Sequence, residues 1–195
     1  MTQPTSSAHL TTIEVIDERR TLRNYLLQQR RVIDPALRTL WNNVLATKLL
    51  QWCEQVRPTS LAVYSPIQHE PDLTASYSQI SAMGIQLALP LVVAKNMPLQ
   101  FVAWQVGDEM VSDEYGIAVP LRREKILKPE AMLIPCVGFN ARHFRLGYGG
   151  GFYDRSLAVA PQTWAIGVAY QCLQSEFSEG QHDIAMHLIL TELAT

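Results

Sequence analysis

The stretch that most restricts what this chain can fold into is RLGYGGGFYDR, Arg145 to Arg155. Four glycines, Gly147, Gly149, Gly150 and Gly151, fall within five residues. Glycine admits φ > 0 and lets the backbone come close to a ligand, at an entropic cost to folding. A loop bearing that cost presents bare N–H groups inward, as anion-binding nests do. An apolar run, Ala131 to Phe139 (AMLIPCVGF), precedes the loop, and Phe152, Tyr153, Ser156 and Leu157 continue it as the first turns of a helix. Strand, glycine loop and helix N-terminus in that order describe an anion site. Asp154 then stands where a metal ion can be held against the anion. Gly147 and Gly149 do not complete a dinucleotide fingerprint, because Phe152 occupies the third glycine position, and no Gly-Lys-Ser/Thr follows to make a Walker loop. The plain alternative is a glycine-rich surface turn, but the Arg, Tyr and Asp packed around it argue against that.

The rest of the chain alternates. Apolar strand patterns lie at Ser60–Tyr64, Ile85–Val93, Leu99–Trp104, Met132–Ile134 and Trp164–Tyr170. Helical patterns lie at Ile13–Arg31, from Asp34-Pro35 to before Pro58, at Leu73–Met83 and after Gly151. This predicts a three-layer α/β domain with a largely parallel sheet. The strand near residue 100 is a candidate antiparallel edge. Asp34 is an N-cap with proline at the first helical position, and Asp72 and Gly84 bracket the third helix as N-cap and C′ residue. Leu37, Leu40, Trp41, Val44, Leu45, Leu49 and Trp52 form the apolar stripe of the second helix. Leu121–Pro129 (LRREKILKP) is a basic surface linker. The whole chain, 1–195, is one domain with residues 1–11 as a flexible tail.

A net charge of −2 gives no reason to expect nucleic acid or an anionic membrane as partner. Anion binding must come from local arginines. Cys53, Cys136 and Cys172 form no CxxC pair, so they are expected to be buried and inert in a reducing cytoplasm. No apolar run approaches the ~18 residues of a membrane span, and the N-terminus lacks a signal pattern. Five arginines, Arg19, Arg20, Arg23, Arg30 and Arg31, give the first helix a basic face that by itself reads as solvated.

Taken with LIPCVGFN before it, RLGYGGGFYDR resembles the C-terminal motif of the 5-formyltetrahydrofolate cyclo-ligase family. RRTLR (Arg19–Arg23), the Glu70 segment, Pro90, Tyr115-Gly116-Ile117 and Asp183 follow that family's order along nearly the whole chain. The resemblance implies a Rossmann-like αβα sandwich. It implies ATP- and Mg2+-dependent closure of 5-formyltetrahydrofolate to 5,10-methenyltetrahydrofolate; the cysteine usage points to the cytoplasm, and a monomer is expected. It assigns ATP to Arg19, Arg23, Arg145, Leu146, Gly147, Tyr148, Gly149, Gly150, Gly151, Phe152 and Tyr153, with Arg145 and Tyr153 catalytic. Folate falls to Ser65, Glu70, Trp104, Tyr115, Tyr148, Gly150 and Phe152, and Mg2+ to Asp154 and Asp183. Phe101, Trp104 and Tyr115 are candidates to wall a flat aromatic ligand.

Four positions depart from the family pattern. Pro71 and Leu73 follow Glu70, Val119 replaces a common glutamate, and Gly150 replaces a common lysine. The charge missing at Gly150 is expected from Arg142 or Arg155. His182 and His187, near Asp183, are ligand types that are as often surface residues. The competing classes are a non-catalytic folate- or nucleotide-binding relative, separable by turnover, and a sugar-phosphate isomerase or CoA-transferase of similar architecture, which would need no ATP.

Overall fold

A computed structural model describes residues 12–114 and 116–193. The tail expected over residues 1–11 and the candidate Tyr115 lie outside the described residues. Helices α1 (Thr12–Arg31) and α2 (Pro35–Val56) precede the first strand, β1 (Ser60–Ala62). Helix α3 (Thr74–Ala82) leads to β2 (Gln86–Leu91) and β3 (Gln100–Ala103). A hairpin, β4 (Met110–Ser112) with β5 (Ala118–Pro120), follows, and then β6 (Ile126–Leu127) and β7 (Ala131–Pro135). A second hairpin, β8 (Gly138–Phe139) with β9 (Arg145–Leu146), carries the glycine loop into α4 (Phe152–Val159). Strands β10 (Trp164–Val168) and β11 (Leu188–Leu190) end the chain.

Seven strands form the main sheet in the order β11-β10-β7-β1-β2-β3-β6. The first five are mutually parallel, β3 runs antiparallel to β2, and β6 antiparallel to β3. Side chains alternate across the strands. Leu61, Val63, Leu87, Leu133, Ile166 and Val168 face one apolar cluster with Leu26, Leu45, Leu49, Tyr77 and Ile80 from α1, α2 and α3. Ala62, Ala88, Met132, Ile134 and Ala165 face the other with Leu157 of α4. The sheet is therefore buried on both faces between helical layers, the αβα sandwich expected.

The local signals act as read for α2. Asp34 Oδ1 accepts from the amides of Ala36 and Leu37, and Pro35 opens the helix. Arg57, left-handed at φ 50°, ends it ahead of Pro58. For α3, Gly84 takes φ +85° beyond its end, but the helix starts one residue later than predicted. Asp72 accepts from the amide and hydroxyl of Thr74, while Leu73 holds the cap position.

Several expectations need correction. The sheet edge is β6, inside the stretch read as a basic linker, and β3 lies one strand in from it. The α2 stripe was drawn too wide: Leu45 and Leu49 are buried, whereas Leu37, Leu40 and Val44 are exposed. A helix flanking one sheet face buries only about a third of its surface. Cys53 and Cys136 are buried and desolvation pushes both thiols up to about 12, but Cys172 is exposed. Phe101 packs into the α4-side cluster and Trp104 against the opposite one, so they do not form one wall.

Candidate functional site

Two adjacent strands decide where a ligand can bind. The chain leaves β1 through α3 toward β2, and leaves β7 through α4 toward β10 on the other side. The connections diverge between β1 and β7, which makes a crevice outside their carboxyl ends, where open α/β sheets bind ligands. The loop after β1 carries Ser65 and Glu70, and the chain after β7 carries the glycine loop. They touch there: the Tyr148 hydroxyl donates to Glu70 Oε1 at 2.7 Å.

Glu70 is only 3% exposed. Its second oxygen accepts from the Ile67 amide at 2.9 Å. Burial raises the carboxyl above its ordinary range, against the opposing pull of the Ile67 and Tyr148 hydrogen bonds and the Arg30 charge. A desolvated carboxylate in a crevice is a candidate functional group. The two residues before it, Gln68 and His69, hold φ of 47° and 63°. Left-handed conformations at non-glycine residues cost of order 1–3 kcal/mol each and gather at binding sites. Ser65, nearby, donates to the Ala118 carbonyl of the β5 strand at 3.0 Å. Trp104 stands edge-on to Tyr77, with ring centroids 6.1 Å apart, and among the described residues its buried indole Nε1 has no acceptor. A buried donor without a partner demands an explanation.

The glycine loop has the conformation its composition requires. Gly149 and Gly151 adopt φ of 95° and 65°, and Gly151 is the left-handed N-cap of α4. A cap with no side chain leaves the first amides of the helix facing outward. Among the described residues, the amides of Tyr148, Gly149, Gly150 and Gly151 donate to no other group. Arg23 enters from α1: its Nε donates to the Gly147 carbonyl at 2.6 Å, and its guanidinium lies against Gly149. Burial, and then the neighbouring Arg19 charge, lower the Arg23 pKa. Arg19 pairs with Asp183 at 2.8 Å, and the Gly180 amide also donates to that carboxylate.

Arg145, on β9, turns inward. Its side chain is 5% exposed, and Nη2 pairs with Asp154 Oδ2 at 2.7 Å. Nη1 reaches the Ile184 carbonyl at 3.4 Å, and the guanidinium lies over the Tyr153 ring. Asp154 Oδ1 in turn accepts from the Ile184 amide at 3.2 Å. One ion pair thus ties β9, α4 and the segment ahead of β11 together and brackets the loop at both ends. Leu146 is core. Burial pushes the Tyr153 phenol well up from its ordinary value. The Phe152 ring covers Gly150.

Of the two candidates for the charge missing at Gly150, Arg155 is at the loop. It donates to the Gly150 carbonyl at 2.8 Å and stacks on Phe152. Arg142 is exposed and pairs with Glu179. His187 accepts from the Ala165 amide, a structural contact. Among the described residues no three His, Cys, Asp or Glu side chains cluster as a metal cage.

Sequence reasoning missed Arg30, which it placed on a solvated face. The side chain is fully buried and bonds to Gln68, Cys136 and Tyr148. A signal was available: Arg19, Arg23, Leu26 and Arg30 recur at i, i+4, i+7 and i+11, one face of one helix. Arg20 and Arg31 are on the exposed side.

Comparison with known proteins fits this arrangement. The sequence pattern of the 5-formyltetrahydrofolate cyclo-ligase family matches residues 15–192. A 5-formyltetrahydrofolate cyclo-ligase of Mycolicibacterium smegmatis is 31% identical over 185 residues, covering 87% of this chain and 91% of that one. One from Escherichia coli K12 is 26% identical over 178 residues, covering 84% and 94%. Among solved structures, a 5,10-methenyltetrahydrofolate synthetase from Aquifex aeolicus superposes with a TM-score of 0.77 at 25% identity, covering 89% of each chain. One from Mycoplasma pneumoniae gives 0.74 at 23%, covering 88% and 97%, a likeness of fold.

Proposed function

The chain belongs to the 5-formyltetrahydrofolate cyclo-ligase family, and on that premise we propose that it closes 5-formyltetrahydrofolate to 5,10-methenyltetrahydrofolate at the expense of ATP and Mg2+. The observation that carries this reading is the junction of the two loops at the divergence of β1 and β7. An anion-binding backbone loop and a buried carboxylate meet there through one phenol. The reaction needs both: a place for the triphosphate and, next to it, a place for the pterin.

The chemistry follows from the leaving group. Oxide cannot leave the formyl carbon. The formyl oxygen takes the γ-phosphoryl group, ADP departs, the folate N10 nitrogen attacks the activated carbon and loses its proton, and phosphate leaves with the original formyl oxygen. No protein nucleophile is required. Phosphoryl transfer is mostly positioning and charge neutralisation. The amides of Tyr148–Gly151, which donate to no other described residue, and the outward amides of α4 suit phosphate oxygens. Arg23 and Arg155 both bond to carbonyls of that loop, at Gly147 and Gly150. On the folate side, Glu70 takes the pterin N–H groups, and the unpaired Trp104 indole takes a folate acceptor.

For Mg2+, the donor set has suitable chemistry. Asp154 and Asp183 offer hard oxygens, and the Ile184 amide that binds Asp154 belongs to the residue next to Asp183. Mg2+ is usually held by one or two carboxylates plus phosphates, not by a protein cage. Asp154 and Asp183 would hold it, and bound there it neutralises phosphate charge. Arg145 acts on this site by holding Asp154, as a positioning residue. No described helix is long and apolar enough to cross a membrane.

The direct test is the ATP-dependent rise of the methenyl-folate absorbance band on mixing protein, 5-formyltetrahydrofolate and Mg-ATP. A folded sample that forms no such band refutes the reading, as does equal product formation without ATP. A narrower prediction concerns Arg23. Charge-assisted hydrogen bonds are worth ~1.5–3 kcal/mol, so Arg23→Ala should raise the KM for ATP roughly tenfold or more. Losing the bond to Gly147 should cost about 1 kcal/mol of stability. An unchanged KM for ATP with only the stability loss would make Arg23 a purely structural anchor.

A further inference from the structure

A fully buried arginine is unusual, because an uncompensated guanidinium is costly to desolvate. Arg30 is such a residue: its side chain is 0% exposed. Among the described residues no carboxylate pairs with it. Its Nε donates to the Gln68 carbonyl at 3.0 Å, and Nη1 to the Cys136 carbonyl at 3.4 Å. Nη2 donates to the Tyr148 hydroxyl, which passes its own proton toward Glu70 at 2.7 Å. The guanidinium also lies over the Tyr148 ring, 5.7 Å from its centroid. The counter-charge of Arg30 is thus Glu70, reached through one phenol.

The four segments joined are α1, the loop after β1, the end of β7 and the glycine loop. The Gln68 carbonyl belongs to the first of two successive left-handed residues leading into Glu70. A bond at that point holds a strained backbone in the one conformation that aims the carboxylate.

We propose that Arg30 is the positioning residue of the folate end of the site, fixing the Glu70 carboxylate and the Tyr148 phenol together in the geometry that receives the pterin. This rests on the reading of Glu70 as the group that contacts the pterin. Around Glu70 the other titratable groups are Tyr64 after β1, Tyr77 of α3, Tyr148, Tyr153 of α4 and Cys136 after β7. Arg30 is the cation that favours its ionised form. Without it, the carboxyl moves further up, and the acidic limb of folate kcat/KM moves to higher pH.

The test uses Arg30→Met, Arg30→Lys and Tyr148→Phe in the full chain, with steady-state kinetics in each substrate and calorimetric binding of 5-formyltetrahydrofolate. Arg30→Met should raise the folate KM roughly tenfold or more, leave the ATP KM within about twofold, and shift the acidic limb upward. Arg30→Lys, which keeps the charge, should restore the position of that limb and part of the affinity. Tyr148→Phe breaks the link while leaving the Gln68 and Cys136 bonds intact, and should show a smaller effect of the same kind. If Arg30→Met does not fold, Tyr148→Phe decides. Folate KM and acidic limb unchanged in the folded variants would overturn the role of Arg30 while leaving the enzyme reading intact. A wild-type protein that binds no 5-formyltetrahydrofolate would overturn both.

Discussion

Asp154→Asn is expected to yield a folded protein whose turnover falls about 10²–10³-fold, the usual cost of removing one preorganised charge-stabilising group from a reaction of this kind. The substitution keeps the shape and removes the negative charge. Two consequences follow, and they separate by measurement. The first is local: Arg145 loses its counter-ion, and an amide group cannot both face Arg145 Nη2 and accept from Ile184 as the carboxylate does. That should cost about 1–3 kcal/mol of stability. The second is chemical: if Asp154 helps to hold Mg2+ as proposed, an anionic ligand is lost, and the Mg2+ concentration for half-maximal turnover should rise. Folate binding without ATP should be nearly normal, because Glu70 and Trp104 belong to other loops. Lost stability with an unchanged Mg2+ requirement would leave Asp154 with only its Arg145 partnership.

Arg145→Ala should produce the largest stability loss of any single change at the site, about 3–5 kcal/mol, because a buried, well-packed side chain is lost and the half-buried Asp154 carboxylate is left without its partner. For a chain of this length each kcal/mol moves the midpoint by roughly 2–4 °C, so thermal unfolding should come about 10–15 °C earlier. The effect is linked to Asp154, and the double variant Arg145→Met with Asp154→Leu should recover part of the stability while remaining inactive. A midpoint within a degree or two of the parent would mean that the pair does not hold β9 to α4. Stability intact with turnover lost would instead place Arg145 on the phosphates themselves.

The parts of the fold legible in the sequence are those with strong local signals. The proline after Asp34 starts α2, and the glycines at 149 and 151 supply the left-handed turn ahead of α4. Uninterrupted apolar runs marked β1, β2, β7 and β10 because parallel strands buried on both faces show no alternation. Strand β6 was hidden because two residues flanked by charges make a poor strand by composition, yet suit an exposed edge where charge discourages further pairing. Strand β11 lay inside a stretch read for its ligands, and the β4–β5 hairpin brackets a polar segment with no apolar pattern of its own.

At the candidate site, residue types were legible and directions were not. Arg19, Arg23, Arg30 and Arg145 look alike in a sequence. Arg23 meets the glycine loop, Arg19 faces Asp183, Arg145 turns into the core beneath the loop, and Arg30 is sealed behind Tyr148. Only packing decides which guanidinium meets water and which meets a carboxylate. The same holds for Phe101 and Trp104, whose three-residue separation puts them on opposite faces of the sheet.

If ATP activates the formyl oxygen, this oxygen leaves as part of phosphate. The most direct measurement uses 5-formyltetrahydrofolate carrying 18O in the formyl group, with unlabelled Mg-ATP and water, and follows the label by mass spectrometry as the methenyl band appears. The 18O should be recovered in inorganic phosphate, in step with the methenyl product. Methenyl product accompanied by unlabelled phosphate, with the 18O released to water, would contradict it.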